Sequence, residues 1–146
     1  MSKGKALPLH VAQRVVYTAI GRLFSAIADK VFVAGSIRRG EKKVRDIDLV
    51  VVEPKKHGKI ERTEYEGIPV QVFYCDEQSL PFMLFHATGP AKWNIVNRVV
   101  AARHGYKLNQ YALVHRESGR RVPGIKSEDD IMRALGRTVR PPERRE

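Results

Sequence analysis

Near the N-terminus, Val11, Val15, Val16, Ile20, Leu23, Phe24 and Ile27 recur at intervals of three and four, the spacing of a helix with one buried stripe. Pro8 suits the first turn of such a helix, and one long helix is expected over 8–29. Val31 to Ala34 is a short β-prone run that stops at Gly35. Asp46 to Val52, carrying Ile47, Leu49, Val50, Val51 and Val52, reads as a second strand ended by Pro54. Residues 59–66 and 69–75 alternate in character around Glu66-Gly67, which predicts a hairpin. Its second arm puts Val70, Val72 and Tyr74 on one face and Gln71, Phe73 and Cys75 on the other.

After Pro81 the spacing turns helical. A helix is expected over 90–104, entered at Pro90 and closed by Gly105. Tyr111 to Val114 and Arg121 to Val122 flank a Ser118-Gly119 turn and suggest a small hairpin. Ser127 is an N-cap for a last helix from Glu128 to Leu135, with Gly136 past its end. The tail from Arg140 to Glu146 is too polar to pack by itself. The pattern describes an α+β chain without internal repeats, with a soft boundary near Asp76 to Pro81 that divides it into 1–80 and 81–146.

Composition narrows the partners. The 146 residues suffice for one compact domain with a core, and a net charge of +11 points to polyanions, nucleic acid first. From Gln78 to Arg116 there is no acidic residue, while Lys92, Arg98, Arg103, Lys107 and Arg116 fall there. A solvated helix face mixes signs, so this one-signed stretch favours a phosphate-facing surface. A single cysteine, Cys75, rules out an internal disulfide and fits a reducing, intracellular compartment, cytoplasmic or viral. No apolar run approaches the roughly 20 residues of a membrane helix, and the expected state is a monomer with no membrane partner.

The chemistry concentrates in the stretch AGSIRRGEKKVRDIDL, residues 34–49. A strand that ends in Gly35-Ser36 and turns into a short helix offers backbone N–H groups to phosphate oxygens. Gly35 permits close backbone approach, the Ser36 hydroxyl can donate, and either Arg38 or Arg39 can supply a bidentate fork. Residues two apart in a strand share a face, so Asp46 and Asp48 project together with Ile47 packed behind them. Such a pair repels itself unless a cation sits between, and Mg²⁺ prefers one or two carboxylates plus phosphate oxygens. An isolated Asp-x-Asp is more simply a surface pair in which Asp46 meets Arg45 or Lys43. The glycine-serine turn ten residues upstream, with arginines between, favours the metal and phosphate reading.

The string Gly35-Ser36-x-Arg38-Arg39-Gly40, then five residues, then Asp46-Ile47-Asp48 resembles the palm motif of the family X DNA polymerases, the DNA polymerase β group of the nucleotidyltransferases. Thr88-Gly89, Trp93-Asn94, Arg98, Gly105-Tyr106 and Asn109-x-Tyr111 resemble the family's nucleotide-closing segment. Ser127-Glu128-x-Asp130-Ile131 through Arg140-Pro141-Pro142 is similar to its closing helix and tail. The resemblance implies a nucleotidyltransferase palm, a small mixed sheet packed by helices, over 1–80, and a small α/β nucleotide-closing subdomain over 81–146. It implies that Gly35, Ser36 and Arg39 hold the triphosphate and that Asp46 and Asp48 bind Mg²⁺, with Mn²⁺ as an alternative. His86, Gly89 and Asn94 would line the nucleotide, Asn94 at the minor-groove edge of the base, and Arg98 and Lys92 would meet DNA. Asn94 and Arg98, four apart, share a helix face that serves an ordinary solvated role equally well.

Departures from the family qualify the activity. The third metal-binding aspartate falls on Gln71, which adds no charge and cannot act as a base, so nucleotide binding should survive better than turnover. Glu64, Glu66 or Asp76 could supply a substitute carboxylate. The connection from Asp48 to Gln71 is shorter than the family's, and the chain begins at the palm's leading helix, so no lyase activity is expected. His86-Ala87 stands where the family places a sugar gate, which implies relaxed sugar discrimination. Lys5 lies near another triphosphate-binding position, although a mobile tail is the simpler fate. The leading expectation is a minimal DNA nucleotidyltransferase acting on a nucleoside triphosphate and gapped or primer-template DNA. A non-catalytic nucleotide- and DNA-binding module, silenced by Gln71, is the rival. Transfer to protein or tRNA is a third reading, disfavoured by the segment after Thr88.

Overall fold

The computed structural model describes residues 5–146. The chain opens with a short strand β1 (Leu7–Pro8) and helix α1 (Leu9–Leu23), which buries Ala12, Val16 and Ala19 along one stripe. The expected helix over 8–29 stops early. Phe24 leaves helical geometry at φ −134°, and Ser25–Lys30 continues as a kinked 3₁₀ segment. Phe24 and Ile27 still pack on the same core as α1, so the apolar spacing runs on although the backbone does not. Periodicity reports which side is buried rather than the hydrogen-bond ladder.

Strand β2 (Val31–Ala34) leads into α2 (Gly35–Arg38), a single turn, and then into β3 (Lys43–Val44), which pairs with β1. Strand β4 (Ile47–Val52) and the hairpin β5 (Ile60–Tyr65) and β6 (Ile68–Cys75) complete a four-stranded sheet in the order β2-β4-β6-β5. The β4–β6 pair is parallel and the others antiparallel. Asp46 lies one residue ahead of β4 rather than within it. Glu66 and Gly67 form the expected two-residue turn with φ of 51° and 78°, the doubly positive geometry that matches strand twist.

Both faces of the sheet are covered. Leu49, Val51, Val70, Val72 and Tyr74 pack with α1, whereas Val50, Val52, Phe73 and Cys75 pack with Met83 of α3 (Leu80–Thr88). Alternation along β4 and β6 therefore assigns Asp48 and Gln71 to the α3 side. Helix α3 also turns Phe82 and Phe85 toward a second cluster around Trp93, which is fully buried. That cluster includes residues of α4 (Ala91–Arg103), entered at Pro90, the hairpin strands β7 (Tyr106–Leu108) and β8 (Leu113–His115), and α5 (Glu128–Ala134).

The expected pairing of Tyr111 to Val114 with Arg121 to Val122 is mostly replaced by β7–β8, with only a Val114–Arg121 bridge surviving. Asn109 redirects the chain: its Oδ1 accepts from the N–H groups of Tyr111 and Ala112 at 2.9 and 3.0 Å, closing a tight turn. Helix α5 behaves as its caps predict. Ser127 Oγ accepts from Asp130 N, and past Gly136 the Arg137 N–H returns to Met132 O in a Schellman closure. The polar tail does pack, against expectation: Arg145 is 4% exposed, held by ion pairing and by the Phe85 ring at 5.4 Å. Among the described residues no helix is long and apolar enough to cross a membrane.

Candidate active site

The end of β2 and the start of β4 open onto a cleft of about 540 Å³. Gly35, Ser36, Arg39, Asp46, Asp48 and Gln71 line it from the sheet side, and His86, Gly89 and Asn94 line it from α3, α4 and the turn between them. Residues distant in sequence thus converge because Ala34, Asp48 and Gln71 are successive cross-strand partners. Gly35 is required at this corner. It has φ of +63°, and a Cβ there would lie 2.9 Å from the Cβ of Asp48 and collide with its carboxylate. The Asp48 side chain therefore rests against the turn that precedes α2.

Charges of both signs share the cleft. Asp46, Asp48 and Glu41 face it together with Arg39, Lys43 and Arg45. Two carboxylates and one amide oxygen suit a divalent cation that keeps part of its shell on phosphate and water, as Mg²⁺ does, better than a cage built from protein alone. Among the described residues no three of His, Cys, Asp and Glu are placed so that together they could hold a metal ion. Neither Glu64, Glu66 nor Asp76 lines the cleft to replace the missing third acid. Asp76 sits by the far end of β6, where it accepts from Ser79 N at 2.9 Å and lies 3.8 Å from His57 Nδ1.

The two candidate forks separate. Arg38 turns to the C-terminal lobe, donating to Glu128 and, at 2.8 Å, to Thr88 Oγ1. Arg39 lines the cleft, steadied by Thr88 O at 2.6 Å and by Glu41 Oε1 at 3.4 Å. Because α2 is one turn long, dipole support for a phosphate is small, and the Ser36 hydroxyl and Arg39 guanidinium remain the principal donors.

On the opposite wall, Asn94 Nδ2 donates to His86 O at 2.8 Å, while its Oδ1 is buried without a partner. His86 Nδ1 lies 3.2 Å from Arg98 Nη2. A guanidinium can only donate, so Nδ1 is the acceptor and the ring proton sits on Nε2. Burial, then the Arg98 charge, lowers the His86 pKa and keeps the ring neutral. Arg98 and Lys92 are exposed on α4 outside the cleft lining, as is Lys5 at the other end of the chain. Cys75 is buried in its strand.

Sequence reasoning missed three residues that shape the site: Thr88, Glu128 and Arg145. Thr88 was visible only as part of a motif. Glu128 too was named only within a motif, and its position in the first turn of a helix, where an acid is expected for the dipole alone, hid its part in the site. Nothing in a polar tail marks Arg145 for burial.

The sheet thus carries two aspartates beside a glycine-serine turn, and a helical lobe faces them across the cleft. Residues 83–146 match the DNA polymerase beta thumb family. Nearly the whole chain is similar to Repair DNA polymerase X of African swine fever virus. For strain Badajoz 1971 Vero-adapted the identity is 27% over 170 residues, covering 98% of this chain and 97% of that protein. For isolate Pig/Kenya/KEN-50/1950 it is 26% over 172 residues, with 99% and 98% covered. The thumb-family match and the viral relatives make the chain similar to the family X, DNA polymerase β-like, polymerases.

Proposed function

We propose that the chain adds nucleotides to a DNA 3′-hydroxyl, displacing pyrophosphate at the α-phosphorus, and serves gap filling or DNA repair. Residues 1–80 act as the palm and 81–146 as the nucleotide-closing lobe of a monomer. The observation that carries the reading is the single cleft in which Ser36, Arg39, Asp46, Asp48 and Asn94 meet. The name of the viral relatives, repair polymerases, supports the same use.

In this reading Ser36 and Arg39 hold the phosphate tail by donating to its oxygens, and Gly35 lets the tail approach the backbone. Asp46 and Asp48 hold Mg²⁺, or Mn²⁺, which when bound supplies charge that stabilises the transferring phosphoryl group and the leaving pyrophosphate. Gly89 and the neutral His86 line the sugar and base side, Asn94 offers its unpartnered Oδ1 to the base edge, and Arg98 and Lys92 meet the DNA backbone.

One observation favours a weaker reading. Gln71 is the ladder partner of Asp48, where a third carboxylate would hold the ion that activates the 3′-hydroxyl. On this alternative the chain binds nucleotide and DNA with little or no turnover. Primer extension with Mg²⁺ and with Mn²⁺, comparing the natural chain with Gln71→Asp, separates the two. Clear extension by the natural chain eliminates the binding module. Extension by Gln71→Asp alone establishes it, and none by either chain defeats the polymerase reading.

A further inference from the structure

The face of the sheet that carries Asp48 and Gln71 continues past the cleft. Strand β5 is the outer neighbour of β6, and Arg62 is the Cα partner of Gln71 as Gln71 is of Asp48. Direct partners present their side chains on one face with Cβ atoms about 5 Å apart, so Arg62 extends the row that begins at Ala34 and Asp48. Met83 of α3 packs over the rows of Val50, Val52, Phe73 and Cys75. The row of Asp48 and Gln71 opens to the cleft instead, and Arg62 is exposed just outside the cleft lining.

The charge of Arg62 is not neutralised within the fold. Among the described residues it enters no ion pair. Glu61 alternates to the other face, where Lys59 holds it at 3.1 Å and the Tyr74 hydroxyl donates to it at 2.9 Å. Opposite Arg62 stands a neutral amide, whereas a carboxylate at 71 would draw off part of the guanidinium's charge. A charge on an edge strand also discourages pairing with another chain, but Glu61 and Glu64 already do that.

The register of Arg62 with the cleft gives it a chemical use. In an in-line displacement the attacking oxygen and the leaving group lie on opposite sides of the phosphorus. At one end of the row, Ala34 leads into α2, which carries Ser36 toward the phosphate tail and is followed by Arg39. The attacking 3′-hydroxyl therefore comes from the other end, over Gln71, and the strand that bears it carries its last internucleotide phosphates toward β5. Arg62 is the cation at that end of the row.

We propose, resting on the nucleotidyl-transfer reading above, that Arg62 binds a backbone phosphate next to the 3′ end of the DNA strand being extended. Two guanidiniums then flank Asp48, Arg39 for the incoming phosphate tail and Arg62 for the attacking strand.

The test follows primer-template DNA binding to the full natural chain, to Arg62→Gln and to Arg14→Gln by fluorescence anisotropy over a range of salt concentrations. Arg14 is an exposed arginine of α1, which packs on the opposite face of the sheet. The DNA is made unmodified and with a neutral methylphosphonate at the last or the last-but-one linkage of the strand carrying the 3′-hydroxyl. Thermal melts establish that both variants are folded. Arg62→Gln should weaken binding by about tenfold and lower the salt slope by about one, whereas Arg14→Gln should change affinity by less than about threefold. One of the two methylphosphonates should weaken binding to the natural chain by about tenfold, and to Arg62→Gln by less than about twofold, because the contact it removes is already absent. Folded Arg62→Gln that loses no more than Arg14→Gln overturns the proposal, as does a methylphosphonate loss equal in both chains. Indifference of the natural chain to both methylphosphonates overturns it without any variant. Failure of the natural chain to bind primer-template DNA at low salt defeats the underlying DNA reading, and the proposal with it.

Discussion

Asp48 and Gln71 stand side by side as Cα partners across the parallel β4–β6 ladder, and Arg62 of β5 is the next partner beyond Gln71. Directly opposed strand residues share a face, so a carboxylate, an amide and a guanidinium form one row. The acidic character of the cleft thus stops at Asp48 on this side. Asp48→Asn should weaken Mg²⁺-dependent nucleotide binding by more than about tenfold, whereas Gln71→Leu should change it by less than about threefold. Titration with a fluorescent nucleotide in Mg²⁺ checks both.

Gly35 tests the corner itself. Gly35→Ala places a Cβ against the Asp48 side chain and forces an L-residue to φ +63°. The strained backbone alone costs about 1–3 kcal/mol, before the collision is relieved. The variant should melt earlier and lose nucleotide binding together, as read by thermal denaturation and titration.

Glu128 makes stability acid-sensitive. Burial pushes its carboxyl pKa up, but hydrogen bonding and charge from Arg38 and then Arg145 outweigh this and hold it below the ordinary 4.5. A depressed carboxylate contributes fully above its unfolded value and loses that contribution as pH falls through the folded one. Melting temperature should therefore drop on acidification below about pH 4.5, with a shallower drop in Glu128→Gln. At pH 7 that variant should be less stable by about 3 kcal/mol, the low end for breaking a buried pair with one partly exposed partner.

The β5–β6 turn offers a stabilising change. Glu66 holds φ of 51°, a conformation that asparagine and glycine adopt more readily. Glu66→Asn should raise stability by about 0.5–1 kcal/mol without altering nucleotide affinity, measurable by urea unfolding.

Cys75 should be chemically silent in the folded chain. Burial, then the nearby Asp76 charge, pushes its thiol pKa up to about 12. At pH 8 a thiol reagent should react more than about a hundredfold more slowly than with a free cysteine, and at full rate only in denaturant. Rapid labelling of native protein would contradict the buried strand.

Much of this molecule is legible in local pattern. Local pattern placed β2, β4 and β5 and the two faces of β6, the hairpin around Glu66-Gly67 was expected, and Ser127 and Gly136 bounded α5 where caps require. That Gly35, Ser36, Asp46 and Asp48 line one cleft was readable because their placement follows from spacing within one strand-turn-strand unit. Where α1 ends was not readable, since Phe24 and Ile27 keep facing the core after the helix breaks. Nor was the β7–β8 pairing, which depends on a side-chain turn at Asn109. The choice between Arg38 and Arg39 belonged wholly to the tertiary structure. Both carry the same charge, and only the arrival of Glu128, ninety residues away, turns one inward and leaves the other at the cleft. Spacing encodes which residues share a face, whereas the partner of a charge is whatever anion the fold brings within hydrogen-bonding distance.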